Sequence, residues 1–188
     1  MNIHIKKIVL ALLLIITGLP DVSSSIDAMN EKELSGRNIY NKKRVTFIDQ
    51  PAPDLRFKDQ NGKTISLNSL KGKVVFINLW ATWCPPCIHE MPSINKLRET
   101  FKDNQDLVFL MVDMDGKIEK AKAFMKRKKF DLPVHILDSE IPAELFTGSI
   151  PTTIIVDKHN NVVGRQIGGA DYSSQEVIDL IDALLNEE

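Results

Sequence analysis

Residues 74–92, VVFINLWATWCPPCIHEMP, decide the fold and hold both cysteines of the 188-residue chain, Cys84 and Cys87. The first six residues are almost all apolar, which predicts a central strand covered on both faces. Apolar residues then recur at helical spacing and predict a helix over about 84–103. Cys84 therefore stands where a buried strand passes into a helix.

The position of Cys84 predicts a reactive thiol. The first turn of a helix has unpaired N–H groups and a positive dipole end, which stabilise a thiolate. Cys84 is the expected nucleophile, and Cys87, one turn later, can resolve a mixed disulfide. Pro85 and Pro86 stiffen the turn without removing a donor that the helix needs.

Other uses of the two cysteines fit less well. A structural bridge would close a very small loop and would add little stability. Attachment of c-type haem needs C-x-x-C-H, whereas His89 comes one residue too late. Zinc needs two further ligands, but His135 lies in an apolar run and His159 in a turn. We therefore expect a redox-active dithiol with no metal and no cofactor.

The remaining elements predict an α/β fold. Their order implies a mixed sheet with helices on both faces. The predicted strands are an edge strand at 44–48, a hairpin at 57–67 turning at Asn61-Gly62, strands at 107–113 and 134–137, and a hairpin at 152–156 and 162–167. The predicted helices are 117–129, a short one at 143–146, and 174–185, which Ser173 or Ser174 would cap.

Charge and composition narrow the class of protein. The chain has 24 basic and 25 acidic residues and is 43% hydrophobic, as in a soluble globular protein. Its densest basic run, residues 126–129, is typical of a solvated helix end. Nothing here indicates a nucleic-acid partner.

The amino terminus predicts export. Lys6 and Lys7 precede twelve mostly aliphatic residues, a run that suits a signal peptide better than a spanning helix. We expect residues 1–25 to be a signal peptide or N-terminal membrane anchor, 26–44 a polar tether, and 45–188 the domain. The domain would be periplasmic or tethered to the outer face of the inner membrane.

Several motifs together resemble one family. FINLWATWCPPCIHEMP at 76–92, APDLRFKDQNGKTISLNSLKGK at 52–73 and GSIPTTIIVD at 148–157 agree in order and spacing with the thioredoxin superfamily. More narrowly, they resemble exported or membrane-tethered thiol–disulfide oxidoreductases of the TlpA/ResA type. The resemblance spans about 50–186 and implies a thioredoxin fold: a central mixed sheet flanked by helices, with an N-terminal hairpin extension.

The resemblance also implies a substrate surface. Pro151 matches the proline that is cis in this superfamily, an uncommon geometry. The backbone of Ile150 would pair with an extended substrate segment. Trp83, with Pro85 and Pro86, would complete the substrate-binding surface. Trp80 is expected to be buried scaffold.

Proton handling departs from thioredoxin itself. Asn78 occupies the position of a buried aspartate in thioredoxins and cannot carry a proton. Glu90 matches a glutamate of the TlpA/ResA type and, if buried, could take the Cys87 proton. A solvent-facing helix glutamate is the open alternative.

The expected function is reduction or exchange of disulfides in exported proteins, by a monomer that a membrane or periplasmic thiol donor recycles. The resemblance implies cytochrome c maturation as a client pathway. The direction of electron flow stays open. The alternatives are a peroxiredoxin-like thiol peroxidase, although Thr82 lies two rather than three residues before Cys84, and a non-catalytic client-binding module.

Overall fold

The computed structural model describes residues 45–46 and 50–187. These residues belong to one unit, Lys43–Glu188. The predicted signal peptide or anchor at 1–25 and the tether at 26–44 lie outside the described residues. Within the described part of the chain, no helix is both long and apolar enough to cross a bilayer.

The described strands form one mixed sheet. In chain order they are β1 Val45–Thr46, β2 Gln50–Pro51, β3 Arg56–Asp59, β4 Thr64–Ser66, β5 Val74–Trp80, β6 Leu107–Asp113, β7 Val134–Leu137, β8 Thr152–Val156 and β9 Asn161–Ile167. Their order across the sheet is β1-β9-β8-β5-β6-β7-β3-β4, and β2 also pairs with β9. The helices are α1 Pro85–Thr100, α2 Ile118–Lys128 and α3 Gln175–Asn186, with a 3₁₀ helix at Leu67–Leu70.

Strand β5 lies at the centre of the sheet, as its apolar sequence predicts. All seven of its residues are buried. It runs parallel to β6 and antiparallel to β8, with Asn78 directly opposite Thr153. Its carboxyl end delivers the chain to the two cysteines.

The predicted amino-terminal elements form at the two edges of the sheet. The 44–48 prediction is confirmed for Val45–Thr46, which pair with β9, while 47–49 lie outside the described residues. Strands β3 and β4 form the predicted hairpin, and Gly62 in its turn has φ +80°. Glycine adopts this left-handed conformation at little cost. Because β3 also pairs with β7, the hairpin extends the sheet at the edge opposite β1.

The two faces of the sheet are covered differently. All three α-helices contribute buried residues to one core, which includes Phe76, Trp80 and Phe109. The core on the other face contains Phe57, Leu67 and Leu145 among the residues that cover the sheet. Helices were expected on both faces. The three α-helices pack on the first face, and the only helix that contributes to the described core of the second face is the short 3₁₀ helix.

One local prediction is wrong, and a second is confirmed in the position of the cap but not in its side-chain hydrogen bond. Residues 143–146 form a turn rather than a helix, with the N–H groups of Leu145 and Phe146 both donating to the Pro142 carbonyl. Leu145 is 1% exposed, so burial of that side chain holds the turn. Ser174 is the N-cap of α3 but makes no side-chain cap bond. The Ser173 hydroxyl donates to Asp171 instead.

Candidate active site

The two cysteines lie where the sequence placed them, at the start of α1. Cys84 is the N-cap residue, and its Sγ accepts a hydrogen bond of 3.3 Å from the Cys87 N–H. The two residues are joined as a disulfide, with Cα atoms 5.3 Å apart. A donor aimed at Sγ at the positive end of a helix favours negative charge on that sulfur after reduction. The role of Cys84 as the nucleophile stays a prediction that this geometry supports.

Pro85 and Pro86 occupy the first two positions of α1 and are exposed. The first turn of a helix has no internal partner for its N–H groups, so prolines cost no hydrogen bond there. Because prolines have no N–H, the first N–H of the helix is that of Cys87, and it donates to Cys84 Sγ. The two prolines therefore form an apolar surface around a fixed turn.

Trp83 supplies a fixed aromatic surface beside Cys84. It is 61% exposed, the one large hydrophobic side chain with high exposure among the residues that the structure describes. Its indole N–H donates to both carboxylate oxygens of Asp115, each at 3.0 Å. Trp80, in contrast, is fully buried and contacts the Phe124 ring, as expected of scaffold. Asp115 carried no sequence signal of this contact.

The Ile150–Pro151 bond is cis, which confirms the geometry implied by the resemblance. Strand β8 begins at the next residue, and Thr152 pairs with Leu79 near the end of β5. Pro151 therefore lies at the end of the sheet where β5 leads into the cysteine turn. The binding of substrate by Ile150 and Pro151 stays a prediction.

Glu90 lies inside the protein, so the alternative of a solvent-facing glutamate is wrong. It is 2% exposed and three residues after Cys87 on α1. Burial raises the pKa of Glu90 to about 7, against the opposing effect of two hydrogen bonds. Asn78 Nδ2 donates to Oε1 at 2.8 Å, and the Ala170 N–H donates to Oε2 at 3.3 Å. Such a carboxyl can accept and release protons near neutral pH.

A groove of about 950 Å³ adjoins Glu90. The first turns of α1 form one wall, and the segment between β9 and α3 forms the other. The lining includes Pro85, Pro86, His89, Glu90, Ser93, Lys96, Gly169 and Asp171. The groove brings solvent close to an otherwise buried carboxyl.

Sequence reasoning missed the partners of Glu90. In the sequence, Asn78 stands out only as a departure from thioredoxin, yet it binds both Glu90 and Thr153. Tyr172 in turn binds Thr153. These residues lie far apart in the chain. The pairing of β5 with β8 brings Asn78 and Thr153 together.

The chain is similar to known redox proteins. Residues 48–180 match the Redoxin family. The thiol–disulfide oxidoreductase ResA of Bacillus cereus is 37% identical over 133 residues, 70% of this chain and 76% of the relative. The thioredoxin-like protein YneN of Bacillus subtilis is 36% identical over 131 residues, 69% of this chain and 77% of the relative.

A solved structure agrees with the sequence relatives. The crystal structure of a proposed thiol–disulfide oxidoreductase from Bacteroides vulgatus superposes with a TM-score of 0.63 at 34% identity, covering 73% of this chain and 96% of that one. The Redoxin match, residues 48–180, spans the cysteine turn and Pro151. The chain therefore belongs to the Redoxin family, in which it is a thiol–disulfide oxidoreductase of the TlpA/ResA type with a thioredoxin fold.

Proposed function

We propose that this protein is exported and reduces or exchanges disulfide bonds in other exported proteins, with Glu90 as the proton carrier. The observation that carries the proposal is the placement of a buried carboxyl one helical turn after Cys87. A nucleophilic sulfur at the helix start, a second sulfur on the same turn and a proton acceptor behind them are the groups that thiol–disulfide exchange needs.

The cycle starts from the reduced dithiol. The Cys84 thiolate attacks one sulfur of the client disulfide and displaces the other as a thiolate, which leaves a mixed disulfide. Cys87 loses its proton and attacks Cys84 Sγ, which releases the second client thiol. The enzyme then holds the Cys84–Cys87 disulfide, and two electrons have passed to the client.

Glu90 is proposed to receive the proton of Cys87 in the second step. Free thiols have a pKa of about 8.5, so a carboxyl that titrates near 7 is a suitable acceptor at neutral pH. Asn78 and the Ala170 N–H support the ionised form that results. Asn78 itself stays neutral throughout.

The proposed client class comes from the resemblance to the TlpA/ResA type. We propose apocytochromes c, whose C-x-x-C-H cysteines must be thiols before haem is attached, as clients of this dithiol. A membrane or periplasmic thiol donor would return the oxidised enzyme to its reduced form. The exposed surface of Trp83, Pro85 and Pro86 is proposed to receive the client beside the Ile150 backbone.

Replacement of Glu90 tests the proton step. The variant Glu90→Gln keeps the shape of the side chain but cannot take a proton. We expect the pH profile of thiol alkylation in the reduced enzyme to change, with loss of the inflection near pH 7. Glu99→Gln, an exposed site on the same helix, is the control. Overlapping profiles for wild type and Glu90→Gln would reject the proton-carrier role.

A peptide assay tests the client class. The reduced enzyme should reduce an oxidised C-x-x-C-H peptide faster than an unrelated disulfide peptide of equal length and charge, and Cys84→Ser should reduce neither. Equal rates with the two peptides would contradict a preference for apocytochromes and would indicate a general disulfide reductase. Turnover with hydrogen peroxide at a rate above that with either peptide would instead support a peroxidase.

A further inference from the structure

Glu90 is one end of a buried chain of hydrogen bonds, of which the proposed cycle uses only the first, from Asn78. Asn78 Nδ2 donates to Glu90 Oε1 at 2.8 Å and to Thr153 Oγ1 at 2.9 Å. The Tyr172 hydroxyl donates to the same Thr153 Oγ1 at 2.6 Å. None of the four residues is more than 3% exposed. Buried polar groups need hydrogen-bond partners, and Asn78 and Thr153 find theirs within this chain of bonds, while Glu90 also accepts from the Ala170 N–H and adjoins the groove.

Strand pairing builds the middle of this chain. Asn78 on β5 is directly opposite Thr153 on β8, so the two side chains share a face of the sheet. Tyr172 reaches them from the segment that follows β9. Its ring meets the Phe76 ring edge-on at 5.1 Å, and its N–H donates to Ser93 Oγ at 3.0 Å. The tyrosine ring is thus held without help from its hydroxyl.

The orientation of the Asn78 amide depends on two partners alone. Both of its assigned contacts use Nδ2, and Oδ1 has no partner in the described part of the chain. An amide has two donors on one side and an acceptor on the other. If it turned over, its carbonyl would face the Glu90 carboxyl, and the ionised form of that carboxyl would lose a donor.

Thr153 can hold the amide only if its hydroxyl faces Asn78. A threonine hydroxyl and methyl have similar shapes, so hydrogen bonds decide which of them takes a given position. Tyr172 supplies the second bond to that hydroxyl. Burial raises the pKa of Tyr172, and the nearby Glu90 raises it further, so the phenol keeps its proton and remains a donor.

We propose that Tyr172 is a positioning residue for the thiol chemistry: its phenol binds the Thr153 hydroxyl, and Thr153 thereby fixes the Asn78 amide as a donor to Glu90. The inference rests on the proposed role of Glu90 as the proton carrier. The ionisable side chains that line the adjoining groove besides Glu90 are His89 and Lys96 on α1 and Asp171 before α3, and all three are outside this chain of hydrogen bonds. They stay unchanged in the variants below.

The test is a titration of the Glu90 carboxyl by NMR in the oxidised full-length protein with ¹³C-labelled glutamate. Oxidation removes the thiols from the titration, and Glu90→Gln assigns the signal. Tyr172→Phe keeps the ring and removes the phenol hydroxyl. We expect its Glu90 midpoint to rise by about half a pH unit, because a less well oriented donor stabilises the carboxylate less.

Companion variants show whether Tyr172 acts through Thr153. Thr153→Val should raise the midpoint at least as much, and adding Tyr172→Phe to it should have no further effect. Thr153→Ser, in contrast to Thr153→Val, retains the hydroxyl and should keep the Glu90 midpoint of the wild type. Ser173→Ala is the control: it removes a hydrogen bond to Asp171 in the same segment as Tyr172, outside the chain of bonds to Glu90, and should leave the Glu90 midpoint unchanged.

Two results would overturn the inference: a Tyr172→Phe titration that overlaps the wild type, or effects of Tyr172→Phe and Thr153→Val that simply add. The pH profile of thiol alkylation separates this outcome from failure of the proposed function. If Tyr172→Phe shifts the Glu90 midpoint but Glu90→Gln leaves the thiol profile unchanged, Tyr172 does position the Asn78 amide on Glu90, and the role of Glu90 as proton carrier is rejected. If Tyr172→Phe leaves the Glu90 midpoint unshifted while Glu90→Gln changes the thiol profile, only the positioning role of Tyr172 is rejected.

Discussion

At the scale of single residues, the site combines groups that the sequence identifies with partners that it does not. Cys84 and Cys87 stand out by spacing, since a C-x-x-C pair after a buried strand has a direct chemical meaning. The burial of Glu90 carries no such local signal. It depends on Asn78, twelve residues earlier on another element, and on the Ala170 backbone eighty residues later.

The pKa of Glu90 predicts a pH dependence of stability. Its pKa is about 7 in the folded protein against 4.5 for the free group. The folded state therefore holds the proton more tightly, and Glu90 lowers stability as pH rises from about 4.5 to 7. The free energy of unfolding should fall by about 3 kcal/mol over this range from Glu90 alone.

Urea unfolding of the oxidised protein at pH 4.5 and 8 measures this effect. Subtraction of the same series for Glu90→Gln removes the contribution of every other group. The wild type should lose more stability than the variant as pH rises. Parallel stability curves for the two proteins would show that Glu90 titrates as it does in the unfolded chain.

At the scale of elements, the long apolar or periodic segments were predictable, and so were the short strands at 134–137 and 152–156, whereas the helix predicted at 143–146 does not form. Strands β5 and β6 and helix α2 follow from their patterns, because burial and period determine them locally. Residues 143–146 form a turn in which Leu145 is buried, so tertiary contacts outweigh the pattern. The pairing of β3 with β7 was also hidden, since the 57–67 hairpin signal says nothing of its neighbour.

The end of helix α2 offers a test at this scale. Lys129 has φ 60° and ψ 35°, a left-handed conformation that costs a side-chain-bearing residue about 1 kcal/mol. Lys129→Gly should therefore raise the free energy of unfolding by about 0.5–1 kcal/mol. Lys128→Gly, at the last helical residue, should lower it by a similar amount. Urea unfolding of both variants checks the opposite signs, and destabilisation by both would contradict them.

At the scale of the whole molecule, the site depends on a sheet that is covered from two sides. The helices bury one face and bring Glu90 and Cys87 to it. The amino-terminal hairpin and the segment around Leu145 cover the other face. The resemblance indicated the hairpin extension, but only the structure shows that β3 joins the sheet through β7.

This arrangement predicts that the hairpin is integral to the fold. Phe57 on β3 is fully buried in the core of the second face. Phe57→Ala should lower the free energy of unfolding by about 3–5 kcal/mol. The exposed Lys63→Ala in the same hairpin should change it by less than about 0.5 kcal/mol. A loss below about 1 kcal/mol for Phe57→Ala, in urea unfolding, would mean that the hairpin is only appended to the sheet.

In the proposed cycle Cys84 attacks the client and Cys87 resolves the mixed disulfide, and covalent trapping separates the two roles. Reduced Cys87→Ser and Cys84→Ser are each mixed with a disulfide-bonded client, quenched in acid and weighed intact by mass spectrometry. We expect Cys87→Ser to accumulate one covalent client adduct on Cys84, while Cys84→Ser forms far less in the same time. Equal adducts on both variants, or adducts on Cys84→Ser alone, would contradict the assignment.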